Sequence, residues 1–109
     1  MLKTLDEIDE FVLDFTTENV DIGGTSRIGT LKASRNELER QFGKPDTDYP
    51  KTTYHWQIRF PDGSVITIYD YRERNRFADG DDVREWSIGG RYASNADLLR
   101  YLGFDVEIY

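Results

Sequence analysis

The chain has 109 residues, of which 38% are hydrophobic and 14% aromatic, and this amount of core material fits one domain rather than two. Its 21 acidic and 14 basic residues give a formal net charge of -7, which disfavours a general DNA- or RNA-binding protein because like charges repel at long range. The absence of cysteine excludes disulfides and thiolate metal sites, and no apolar run is long enough to cross a membrane.

The N-terminal segment has the pattern of an amphipathic helix over residues 4–17. Thr4 and Glu7 are spaced as a capping box. Apolar residues recur on one helical face at Leu5, Ile8, Phe11, Val12 and Phe15. Within a single domain, we therefore expect residues 1–19 to form a helix available for subunit assembly and residues 25–109 to form an α+β body.

A glycine-containing turn is expected to precede a first strand over residues 27–33, where the apolar alternation is irregular. The pattern then predicts a second helix over residues 34–42. Ser34 and Glu37 form another capping box at its start, and Gly43 stands where a left-handed C-terminal cap is expected.

The clearest structural signal is a β-hairpin over about residues 53–71. Its turn, Phe-Pro-Asp-Gly-Ser at residues 60–64, predicts a glycine bulge that pairs Phe60 with Ser64. In that register one face carries the apolar side chains of Tyr54, Trp56, Ile58, Phe60, Ile66 and Ile68. The opposite face carries His55, Gln57, Arg59, Val65, Thr67, Tyr69 and Tyr71.

The C-terminal part predicts a further strand over residues 83–90, a last helix over residues 94–102 and a short edge strand in residues 105–109. The predicted class is therefore α+β. We expect an antiparallel sheet of three to five strands around the central hairpin, packed by two or three helices at about 4–17, 34–42 and 94–102.

The sequence offers no assembled catalytic or metal site. His55 is the only histidine, and the hairpin register places Tyr69 opposite it and Asp70 on the other face. The acidic residues around Gly80 lack both the spacing and the closing glutamate of a calcium loop. We therefore expect a protein that is not an enzyme and that uses neither a metal nor a cofactor.

Arginine and tyrosine residues concentrate on and beside the polar face of the hairpin. Arginine supplies forked donors for phosphate oxygens, and tyrosine and tryptophan supply flat surfaces for bases. The predicted ligand-binding residues are His55, Arg59, Tyr69, Tyr71, Arg72, Arg74, Trp86, Arg91 and Lys32. The competing interpretation is that the tyrosines pack under a helix and the arginines pair with nearby carboxylates.

Several short motifs occur together in a fixed order. They are Phe-Gly-Lys-Pro at 42–45, Asp-Gly at 62–63, Thr-Ile-Tyr-Asp-Tyr at 67–71 and Trp-Ser-Ile-Gly-Gly at 86–90. In this order they resemble a widespread family of small bacteriophage proteins. The similarity covers roughly residues 25–102, and it departs from the family pattern at Arg72, where lysine is frequent, and at Ser87, where histidine is common.

The family that the chain resembles includes the anti-CBASS sponges, which oligomerise and sequester cyclic oligonucleotide immune signals. The resemblance implies a homo-oligomer that holds a cyclic dinucleotide or trinucleotide intact. It would act in the cytoplasm of an infected bacterium, in line with an N-terminus that lacks a signal-peptide pattern. The alternative hypothesis is an acidic phage inhibitor that binds a host protein, for example by imitating DNA.

Overall fold

A computed structural model of the chain describes residues 16–17, 20–47, 54–61, 63–70 and 80–109. The predicted N-terminal helix as far as residue 15, and the segment 71–79 that follows the hairpin, lie outside the described residues.

One five-stranded antiparallel sheet organises the described chain, with the strand order β2-β3-β4-β1-β5. The elements in chain order are β1 (Ser26–Ser34), α1 (Arg35–Phe42), β2 (His55–Arg59), β3 (Val65–Tyr69), β4 (Val83–Gly90), a 3-10 turn (Ala93–Ala96), α2 (Asp97–Tyr101) and β5 (Asp105–Ile108). This arrangement confirms the predicted α+β class.

The hairpin has the predicted register. Ile58 pairs with Ile66 and Trp56 pairs with Ile68, and the Phe60 amide donates to the Ser64 carbonyl at 2.9 Å. Gly63 adopts a φ of 89°, the left-handed conformation that the bulged turn requires. Because side chains alternate along a strand, this register sends the apolar set of both strands to one face of the sheet.

Both helices pack on that face, which we call the core face. The α1 capping box is formed as predicted, with the Ser34 hydroxyl accepting from the Glu37 amide at 3.1 Å. The last helix begins at Ala93 as a 3-10 turn, continues as α2 and is followed by Gly103 with a φ of 96°. Phe104 then stacks on Phe42 with ring centroids 5.9 Å apart.

The core consists of side chains from four strands of the sheet and from the helices above it. Its fully buried large members are Leu31, Leu38, Ile58, Phe60, Ile66, Ile68, Trp86, Ile88 and Leu99. Trp56 is also buried, and its indole N–H donates to the Gly43 carbonyl at 2.9 Å, so the end of α1 is tied to β2.

The structure corrects the predicted end of the N-terminal helix. Thr16 forms an antiparallel bridge with Arg59, and the two hydrogen bonds between their backbones are 2.9 Å long. Thr16 is therefore paired with the outer edge of β2 rather than helical. Backbone pairing to a sheet edge satisfies the same N–H and C=O groups that a continued helix would use. Among the described residues, no helix is long and apolar enough to cross a membrane.

Substitution of Gly29 tests the join between β1 and β5. A Cβ at this position would meet the Glu107 carbonyl oxygen within β5 at a distance that no real contact allows. We expect Gly29→Ala to displace β5 and to lower the free energy of unfolding by about 1–3 kcal/mol in urea titrations.

Gly23→Ala is the matched control, because Gly23 is exposed in a turn and faces only the side chain of Asp21. Its effect should stay within about 0.5 kcal/mol. Equal stability of the two variants would contradict the close β1–β5 approach.

Candidate functional site

His55 and Tyr69 form a stacked pair on the polar face of the sheet, the face opposite the helices. They are direct partners on β2 and β3, and their rings are 5.9 Å apart with planes inclined by 19°. His55 is buried and Tyr69 is half-buried. The structure thus brings these two predicted ligand-binding residues together, with one ring face of Tyr69 already covered by His55.

Burial lowers the pKa of His55 below its usual value of 6.5, because a charged imidazole loses hydration there, while the negative charge of Asp46 acts weakly in the opposite direction. Asp46 is held close by two backbone hydrogen bonds to His55, of 2.7 and 2.9 Å. Folding therefore favours the neutral form of the His55 imidazole. Among the described residues, no group of three or more His, Cys, Asp or Glu side chains is arranged to hold a metal ion.

Lys32 lies in a locally acidic part of the polar face. It is exposed on β1, and its direct cross-strand partners are Glu85 on β4 and Asp105 on β5. Glu107, the next residue on the same side of β5, is also exposed. Three carboxylates around one ammonium favour a cation over a phosphate, so this position does not support the predicted phosphate contact.

Arg59 is separated from Lys32 by two strands of the sheet, β3 and β4. It is exposed at the end of β2, the outermost strand on the opposite side, where Thr16 bridges its backbone. Between these two cations the polar face is largely closed, because Thr30 is 6% and Thr67 is 3% exposed. The polar face therefore does not gather the predicted cations around one open surface.

Trp86 is a core residue, which corrects the expectation that it stacks on a base. Its side chain is 1% exposed, its ring packs edge-on against Trp56 at 5.3 Å, and its indole N–H donates to the Ala33 carbonyl at 2.9 Å. Period-two alternation places it on the same face as Ile88, so the strand points it into the interior.

Arg91 has a structural role in the described chain. Its Nε and Nη2 donate to the carbonyl oxygens of Gly23 and Asp21, at 3.0 and 2.9 Å, and so fasten the turn before β1 to the end of β4. The remaining predicted site residues, Tyr71, Arg72 and Arg74, lie outside the described residues.

A cluster of guanidinium groups and aromatic rings lies instead at the core-face edge where α1 begins. Arg35, the first residue of α1, has its Cζ 5.0 Å from the centre of the Tyr54 ring and donates from Nη1 to the Tyr54 hydroxyl at 2.6 Å. Its Nε is 3.8 Å from the Glu39 carboxylate. The charge and the Nη1 donor of Arg35 therefore have partners, whereas its buried Nε has no hydrogen-bond acceptor among the described residues.

Arg84 lies beside this pair. Its Cζ is 4.9 Å from the centre of the Trp86 ring, and the Trp86 and Tyr54 rings are 6.5 Å apart. All three guanidinium nitrogens are buried, and none has a hydrogen-bond partner in the part of the chain that the structure describes. We call Arg35, Tyr54, Arg84 and Trp86 the guanidinium cluster.

Burial of the Arg84 guanidinium without hydrogen-bond acceptors is energetically unfavourable. A buried donor without an acceptor costs about 1–3 kcal/mol, and more when it is charged. The cation–π contact with the indole face offsets about 0.5–2 kcal/mol of this cost. An acceptor bound from outside would remove the remaining cost, so the cluster is suited to an anionic ligand.

Neighbouring groups shape the cluster. The buried Asp70 carboxylate accepts from the Tyr54 amide at 2.9 Å, which fixes the backbone next to the Tyr54 ring. The Gly80 carbonyl accepts from the Asn36 amide at 2.9 Å. A side chain at Gly80 would lie 2.9 Å from Nη2 of Arg35, so glycine permits the loop to approach the start of α1 this closely.

Arg35, Tyr54 and Arg84 are absent from the predicted ligand-binding set. A usable signal exists for Arg84, because it shares the period-two face of Trp86 and Ile88 and so points a charge toward an apolar side. Arg35 reaches Tyr54 only because β1 leads directly into α1 beside the hairpin, which is a tertiary relationship.

No protein-family model, no curated protein and no solved structure matches this chain. The resemblance to the bacteriophage family therefore stays a prediction.

The lowered pKa of His55 gives a testable pH dependence. The unfolded chain binds the imidazole proton more readily than the folded chain, so stability is complete above about pH 6.5 and falls as the pH decreases toward the folded pKa. We expect the urea midpoint of the wild type to decrease more between pH 7.5 and 5.5 than that of His55→Phe, which keeps a ring against Tyr69 and does not titrate. Parallel pH curves would show that His55 contributes nothing to this dependence.

Proposed function

We propose that the protein is a non-enzymatic binding protein that holds a cyclic dinucleotide or trinucleotide intact, acting in the cytoplasm of an infected bacterium as a sink for the signal. The observation that carries the proposal is the guanidinium cluster, in which two arginine–aromatic pairs meet through the contact between Tyr54 and Trp86. A cyclic oligonucleotide combines diester phosphates with flat bases, and arginine and aromatic groups are the protein groups that bind these two parts.

The guanidinium cluster includes only one of the residues predicted from the sequence, Trp86, but it offers the same types of group, which are guanidinium donors and aromatic rings. Local charge outweighs net charge at contact distance, since screening in physiological salt acts over about 8 Å. A buried guanidinium therefore attracts a phosphate even on a chain with a net charge of -7. A homo-oligomer, in which a second subunit would complete the pocket, is part of the proposal and is measurable by light scattering during gel filtration.

Calorimetric titration with a panel of cyclic di- and trinucleotides tests the proposal. We expect one of them to bind, to be recovered with unchanged mass, and to bind about ten- to a hundredfold more weakly to the double variant Arg35→Gln/Arg84→Gln, because the loss of one charge-assisted hydrogen bond to phosphate costs about 1.5–3 kcal/mol. Lys32→Gln, which removes a positive charge from the opposite face, should bind like the wild type. A panel without any binding would refute the proposal.

The acidic part of the polar face favours a second candidate function, inhibition of a host protein that has a basic surface. Glu85 lies on β4, Asp105 and Glu107 lie on β5, and β1 separates these two strands; all three carboxylates are exposed on the same side of the sheet. Such a row of carboxylates resembles the charge pattern that a DNA-binding protein recognises.

A charge-reversal variant separates this candidate from the first. Glu85→Lys/Glu107→Lys should lose binding to a basic host enzyme while it keeps any affinity for cyclic oligonucleotides. Retention of a purified DNA-binding enzyme on immobilised wild-type protein, and its absence from the variant, would support inhibition. Equal retention by both proteins would count against it.

A further inference from the structure

We infer that Arg84 is the anchor of an oxyanion-binding site, and that the group it takes is the singly charged phosphodiester, or a carboxylate of the same charge. The inference rests on the proposed function in placing a ligand at the guanidinium cluster. It goes further by naming the side chain that holds the ligand's negative charge.

Arg84 differs from the other arginines of the described chain because all three of its guanidinium nitrogens are buried without an acceptor there, whereas in Arg35 this holds for Nε alone. Arg91 donates to the carbonyls of Gly23 and Asp21. Arg100 donates to the Asp97 carboxylate at 3.1 Å and to the Val106 carbonyl at 3.2 Å. The exposed arginines, which are Arg27, Arg40 and Arg59, are hydrated and need no protein partner.

Arg35 shares the cluster but is already engaged. Its Nη1 serves the Tyr54 hydroxyl at 2.6 Å, and its Nε lies 3.8 Å from the Glu39 carboxylate. We therefore assign Arg35 to positioning the Tyr54 ring. Arg84 has no carboxylate within 4.0 Å among the described residues, so it supplies one positive charge that an incoming anion can neutralise.

The Trp86 ring, which lies against the Arg84 guanidinium, limits the directions in which the N–H groups can donate. The indole of Trp86 is fixed by its hydrogen bond to Ala33, and the guanidinium lies over this fixed ring. Because the ring occupies one face of the guanidinium, its N–H groups remain in the guanidinium plane, at the edges. Two oxygens of a phosphodiester or carboxylate accept two parallel hydrogen bonds from that planar fork, a geometry that a single halide ion does not offer.

The location of Arg84 in the fold also limits the charge of the ligand. Arg84 is paired with Ala33 on β1, just before the first turn of α1, where Glu37 already supplies a carboxylate. The Asp70 carboxylate is buried next to Tyr54. These two negative groups oppose a doubly charged phosphate monoester more strongly than a singly charged diester.

Thermal unfolding in sodium dimethyl phosphate, compared with sodium chloride of equal ionic strength, tests the site with a probe that carries only the diester. At about a tenfold excess over its Kd, dimethyl phosphate should raise the Tm of the wild type by roughly 5 °C. Arg84→Gln should show no such shift. Arg40→Gln, which removes an exposed guanidinium from α1, should keep it.

A second measurement uses the protein without added oxyanion. Arg84→Met removes the charge and keeps an unbranched chain over Trp86, so we expect it to unfold at the same Tm as the wild type or a higher one in chloride. An arginine with only a structural role would instead make Arg84→Met less stable.

The outcomes separate the inference from the proposed function. A Tm shift that persists in Arg84→Gln, or a wild type that does not respond to dimethyl phosphate or acetate, would overturn the inference. A shift that depends on Arg84, together with no binding of any cyclic oligonucleotide, would support the oxyanion site and refute the proposed function. A larger shift with acetate than with dimethyl phosphate would assign the site to carboxylates.

Discussion

The hydrogen bond from the Trp86 indole to the Ala33 carbonyl joins the two longest strands of the sheet from within the core. It fixes a large ring at the point where β1 passes into α1, and the edge of that ring packs against Trp56. An indole N–H needs an acceptor when it is buried, so this ring has little freedom to tilt or turn over. The fixed Trp86 ring in turn helps to position Tyr54 and Arg84, because both side chains lie against it.

The two faces of the sheet differ in the groups that surround their cations. On the core face, aromatic and branched side chains fill the space below the helices, and the buried guanidinium nitrogens of the described residues lie at the edge formed by the guanidinium cluster. On the polar face, hydroxyl groups and the His55–Tyr69 stack are buried near the hairpin, while carboxylates are exposed around Lys32. Cations are therefore stabilised by rings on one face and by carboxylates on the other.

The sequence predicted those features that depend on neighbouring residues. The hairpin register follows from a bulged turn and period-two alternation, and the α1 cap follows from Ser34 and Glu37. The expectation for Trp86 was wrong because it considered only the flat indole surface, although the alternation of Trp86 with Ile88 along the strand already places it inside. The guanidinium cluster depends on how β1, β3 and β4 are ordered in the sheet. That order is set by long-range packing, which a local pattern does not encode.

Packing alone does not explain why residue 84 is an arginine. A methionine or leucine would cover Trp86 equally well without a desolvated charge, so packing does not require arginine here. A fold usually tolerates such a local conflict between charge and burial at a site that binds something, where the partner restores the lost interactions. The acidic surface is compatible with this, since the carboxylates around Lys32 lie on the other side of the sheet and are screened by salt, whereas a buried guanidinium is not. Under the proposed function, a net negative chain whose Arg84 nitrogens are buried without an acceptor among the described residues is expected to select for small anions. It repels polyanions such as DNA at long range and leaves contact-range attraction for a small anion that can enter the cluster.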